Sequence, residues 1–154
     1  MVERPKQVNL LMFLWIIACL ILAYQSWHYY MDTFIWQVNL DMIPIPGYFL
    51  FNISTYFYLL MSIFIIFSIT NVKKYSWLLN IIFSVHFLFY FGFFSFYILH
   101  YVIFYDNLDR YFQNMALNPN FFGWGLSNAI IACIMLIILI FLFRPNVKKY
   151  FNQI

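Results

Sequence analysis

Charge is what this chain has least of: only 8% of its 154 residues are Asp, Glu, Lys or Arg, where soluble domains carry about a quarter. None of these residues falls in the middle of a long apolar run, so the embedded charge of an ion-coupled transporter or proton pump is missing. Glycine is rare too, at four residues, and there is no glycine-rich phosphate loop or nucleophile elbow. The two cysteines, Cys19 and Cys133, lie inside apolar runs with no CxxC pair and no metal-ligating neighbours. Neither a thiol redox motif nor a zinc site is supported, and buried free thiols are expected.

What fills the chain instead is 66% hydrophobic residues, with 25% aromatic. That composition belongs to a membrane protein. The net charge of +3 does not point to nucleic acid, because the basic residues stand at the ends of apolar runs and do not gather on one face. A pentapeptide marks two of those ends: Asn71-Val72-Lys73-Lys74-Tyr75 recurs as Asn146-Val147-Lys148-Lys149-Tyr150. Each half of the chain therefore closes with the same cationic segment after two long hydrophobic runs.

Those runs, at about 8–30, 48–70, 77–105 and 121–143, each exceed the about 20 residues that cross a bilayer. The expected fold class is all-α: an integral membrane four-helix bundle built of two transmembrane hairpins, with residues 1–154 forming a single four-span domain. Ile16-Ile17-Ala18-Cys19 loosely fits a lipoprotein cleavage box, but the apolar run continues past it, and the segment reads as a span. Loops are expected at Met31–Gly47, which holds Pro44-Ile45-Pro46-Gly47, and at Asp106–Asn120. The first, rich in Phe34, Ile35, Trp36, Met42 and Ile43, is expected to lie in the interface. Asn52-Ile53-Ser54 falls inside a span, out of reach of glycosylation.

Basic residues near span ends set orientation. With four crossings, Arg4, Lys6, Lys73, Lys74, Arg144, Lys148 and Lys149 share one side and only Arg110 lies on the other. Both termini are expected in the cytoplasm, and a bacterial inner (plasma) membrane is the expected location. Asp32, Asp41, Asp106 and Asp109 fall on the outer side.

Helices associate in lipid through small residues and interhelical hydrogen bonds. Cys19, Ala23 and Ser26 form one stripe of the first span, and Gly125, Ala129 and Cys133 one stripe of the fourth, so these two spans are expected to pack. On the third span Asn80, Ser84 and Ser95 cluster on one side, while His86 and His100 lie on nearly the opposite side at ~100° per residue. A helix polar on both sides belongs either at the centre of a bundle or against an additional helix from a partner or second copy. His86 lies well inside its span, where a titratable residue is a functional candidate and a hydrogen bond to a serine or asparagine is the simpler role.

The aromatic excess is outward. Tyr24, Tyr29, Tyr30, Tyr48, Tyr56, Tyr58, Tyr97, Tyr101, Tyr105 and Tyr111, ten of the 13 tyrosines, belong to the outer ends of spans or outer loops. A belt serving only as an anchor forms at both interfaces. A ligand or partner contact is therefore expected near His28, Asp32, Tyr97, His100, Tyr101 and Asp106. Four spans with Asp32 ending the first resemble the architecture of the emopamil-binding sterol proteins, but the second span lacks the membrane-embedded acid of that family.

The expected function is that of a small non-enzymatic membrane protein acting through protein or lipid contact, such as an accessory subunit or an immunity-type protein. The expected partners are the lipid bilayer and a protein or a second copy, with no nucleic acid and no metal. The competing reading is a binder of a small ligand, such as b-type haem, using His28 and His100 as opposed imidazoles. Topology is directly testable: with cytoplasmic termini, a cysteine replacing Asp109 labels from outside intact cells and one replacing Asn152 does not. The reverse pattern overturns the orientation.

Overall fold

The computed structural model describes residues 5–40, 46–71, 75–103 and 119–152, and the described residues are helical throughout apart from short turns. Five helices follow one another: α1 (Lys6–Leu40), α2 (Pro46–Thr70), α3 (Ser76–Ile103), α4 (Pro119–Leu142) and α5 (Pro145–Asn152). Proline marks most of their starts. Pro46, Pro119 and Pro145 are first helical residues, and Pro5 immediately precedes α1, its carbonyl accepting a hydrogen bond from Val8 N at 2.9 Å. A proline at a helix start loses nothing, because the N–H it lacks would have had no intrahelical acceptor.

Three helical segments are long and apolar enough to cross a membrane: Lys6–His28 (23 residues), Ser76–Tyr97 (22 residues) and Gly123–Leu142 (20 residues). Within α2, Ser54–Thr70 is a shorter apolar segment. The loop expected from Met31 begins later than the sequence suggested, since α1 stays helical to Leu40. Nothing in 31–40 breaks a helix: there is no proline or glycine between Lys6 and Pro44. Residues 41–45, Lys73, Lys74 and 104–118, with the expected loop residues Asp106, Asp109 and Arg110, lie outside the described residues.

The chain forms two compact units, Met1–Ser76 with Tyr150–Ile154, and Trp77–Lys149. In the first, α2 packs along α1. A buried stripe of α1 runs through Val8, Leu11, Trp15, Ala18, Leu22 and Gln25, with Ser26 buried beside its end, and one of α2 runs through Thr55, Tyr58, Ser62, Ile65 and Ile69. Both stripes alternate steps of three and four, the spacing that keeps one seam of each helix turned inward. Ser62 Oγ donates to Tyr58 O at 2.9 Å on its own helix, and Ser76 Oγ donates to Ser68 O at 3.1 Å, which closes the connection around the central basic segment.

In the second unit two long-range hydrogen bonds fix α3 against α4. Trp77 Nε1 donates to Leu142 O at 2.9 Å, and Ser95 Oγ donates to Gly125 O at 3.0 Å. The start of α3 is thus tied to the end of α4, and the far part of α3 to the early part of α4, so the helices run antiparallel in one register. Between these ties a methyl group built on Gly92 would meet Ala132 Cβ at 4.0 Å, ordinary contact distance. Asn80, Ser84, Phe87, Phe91 and Ser95 of α3 are buried, as are Asn128, Ile131, Met135, Ile138 and Leu142 of α4.

Large apolar side chains cover the exterior: Leu20 is 65% exposed and Phe89 73%. A surface of this kind is tolerable only against lipid or another apolar surface. In lipid, truncating an outward ring exchanges one apolar neighbour for another, whereas truncating a buried ring leaves a cavity. Phe87→Ala or Phe91→Ala therefore lowers stability by about 3–5 kcal/mol, and Phe89→Ala has little effect. Reversible unfolding of the detergent-solubilised variants measures this; equal losses at Phe89 and Phe91 contradict the assignment of inward and outward faces.

Candidate functional site

The rotation of α3 decides which of its rings face outward. Ser95 is buried and bonded to Gly125 O, and this turns the next two residues, Phe96 and Tyr97, to the exterior, 71% and 43% exposed. The outward line continues through Val85, His86, Phe89, Phe93 and His100, all exposed. Rings one turn apart on this line stack. Phe93 and Tyr97 have centroids 6.4 Å apart and planes 19° from parallel; Phe96 and His100 are 5.9 Å apart and 17° from parallel. Two such pairs make up this ladder, and each of its rings has only two side-chain torsions to fix.

His86 stands ten positions beyond Ser76, or about 15 Å along the axis at 1.5 Å per residue, half the depth of a ~30 Å hydrocarbon layer. The two polar sides of the third span therefore differ in kind. Asn80, Ser84 and Ser95 are buried, while His86 and His100 are exposed.

In the first unit α1 carries Tyr24 and Trp27, 64% and 62% exposed, with the His28 ring set against Tyr24 at 4.4 Å. Tyr56 of α2 donates its hydroxyl to Ser26 O at 3.4 Å, so one of the tyrosines at this end ties α2 to α1. Tyr58 is buried and takes no part in the exposed surface. His28 and His100, the pair suited to haem, belong to different units, each against a ring of its own helix. Asp32 and Tyr101 lie on α1 and α3 with side chains outside the described residues, and Asp106 lies outside them altogether.

The small-residue stripes also have definite positions. On α1, Ser26 is buried, Cys19 is half-buried and Ala23 is exposed; on α4, Gly125 is buried, Ala129 is half-buried and Cys133 is exposed. The most buried line of α1 runs one position away, through Ala18, Leu22 and Gln25. Sequence reading missed the bonds from Ser95 and Trp77; the only available signal was that a hydroxyl and an indole N–H in a span need acceptors.

The chain matches no protein-family model, and no curated protein or solved structure shows significant similarity to it.

If Ser95 sets the rotation of the aromatic ladder, its size matters more than its hydroxyl. Ser95→Ala removes one interhelical hydrogen bond and costs about 0.6 kcal/mol, whereas Ser95→Leu overfills the seam and costs about 1–3 kcal/mol. Melting temperatures that fall equally for the two variants count against tight packing at this position.

Proposed function

We propose that this chain is a non-enzymatic integral membrane protein that binds another membrane protein through the outward face of α3. The carrying observation is His86, exposed at mid-height on a helix long enough to span the bilayer. Ionisable residues at such depth are uncommon and ordinarily face protein or a water-filled cavity. The rings of Phe89, Phe93, Phe96 and Tyr97 supply the apolar contact around it. Pre-stacked aromatic side chains lose little rotamer freedom on binding, and they dominate the energetics of many interfaces.

The apolar exterior supports four membrane spans, counting α2, arranged as two transmembrane hairpins; the seven basic residues near one set of span ends support cytoplasmic termini and an outward-facing aromatic end. In this reading His100 and Tyr97 meet the partner at the outer boundary of the membrane and His86 meets it within. The role that fits is an accessory subunit, or an immunity-type protein that occupies the membrane surface of a toxin.

Replacing His86, Tyr97 and His100 together by leucine preserves hydrophobicity and insertion and removes the exposed polar side chains of the described part of this face. Proteins that co-purify with the native chain after cross-linking in membranes should be lost from this variant, while helicity and melting temperature stay within a few degrees of the native values. Full retention of the co-purifying protein in a folded triple variant rules this surface out.

A further inference from the structure

The opposite end of the second unit carries a separate feature, independent of the α3 ladder. α4 ends at Leu142 and α5 begins at Pro145, and the carbonyl of Arg144 accepts from Val147 N at 3.1 Å and Lys148 N at 3.0 Å. Lys148 therefore lies one helical turn beyond Arg144, where like charges are neighbours and repel. Their heads are nonetheless set over aromatic rings: Arg144 Cζ lies 4.7 Å from the Phe141 centroid and Lys148 Nζ 5.3 Å from the Trp77 centroid. Trp77 is itself held by its hydrogen bond to Leu142 O. Lys149 is exposed beside them, whereas Val147 is buried. Among the described residues of this unit there is no Asp or Glu to neutralise the three cations.

We propose that Arg144, Lys148 and Lys149 bind the phosphate headgroup of an anionic phospholipid, with Trp77 as the apolar floor of the site. Depth selects the ligand: the cations follow directly on a segment, Gly123–Leu142, long enough to cross the bilayer, so they stand at the level where headgroups lie. An indole at this level packs on the glycerol and upper acyl region, and basic side chains beside it attract anionic lipid. An anion between Arg144 and Lys148 turns their mutual repulsion into two attractions.

The test is native mass spectrometry of the full chain in non-ionic detergent, titrated with phosphatidylglycerol or phosphatidylcholine. The native chain should prefer phosphatidylglycerol. Lys148→Gln should reduce that preference about fivefold and Arg144→Gln with Lys148→Gln roughly 25-fold, with helicity checked by circular dichroism. Arg4→Gln with Lys6→Gln, which removes equal charge elsewhere, should leave the preference intact, and inorganic phosphate should not displace the lipid. Absence of a preference in the native chain overturns the proposal, as does equal loss in the Arg4/Lys6 pair, which marks diffuse attraction. Displacement by inorganic phosphate assigns a small-anion site instead. Should the double variant not fold, the native titration and Lys148→Gln decide the matter.

Discussion

The second unit depends on a pair of hydrogen bonds placed far apart along one helical seam. Trp77 Nε1 to Leu142 O and Ser95 Oγ to Gly125 O tie α3 to α4 near both ends of their contact, and two ties fix what a single one leaves free: register and rotation together. Lipid is as apolar as leucine, so a seam of apolar side chains alone has little reason to choose one register over another. A donor that finds a carbonyl across the seam supplies that reason. Phe87 and Phe91 are then directed inward, and Phe89, Phe93, Phe96 and Tyr97 outward.

The outward surface follows from the inward one. Because Ser95 must reach Gly125, Tyr97 and His100 are carried to the exterior, and His86, three turns earlier, goes with them. The proposed partner contact draws on this line, which sets an ionisable residue at mid-depth beside exposed aromatic rings.

The two ends of the second unit differ in chemistry as well as in charge. One carries exposed Tyr97 and His100, and the other presents Arg144 over Phe141 and Lys148 over Trp77. Aromatic rings occur at both, but their partners are different: at the first end they stack on one another and on imidazole, and at the second they lie beneath cations. Protein contact is the role proposed for the first arrangement and anionic-lipid binding that proposed for the second.

Much of this was legible in the sequence. A scarcity of charge and uninterrupted apolar runs require helices, because a backbone in hydrocarbon must satisfy its own hydrogen bonds, and prolines mark where three of the helices begin, since a first-turn proline has no N–H to waste. The opposed polar sides of α3 were also readable, because 100° per residue places Asn80 and His86 on different faces whatever the surroundings. Other features were decided by context. Residues 31–40, expected in a loop, are helical because no proline or glycine lies among them. The repeated pentapeptide is helical at 146–150, after Pro145, yet its first copy begins and ends in turns at Asn71 and Tyr75, where α2 has just ended. Only the tertiary structure decided which polar side of α3 is buried, that Ala18 and Leu22 rather than Ala23 line the seam of α1, and that Trp77 reaches Leu142. Periodicity tells which residues share a face, but which face turns inward is set by an acceptor on another helix, distant in sequence and close only once the chain has folded.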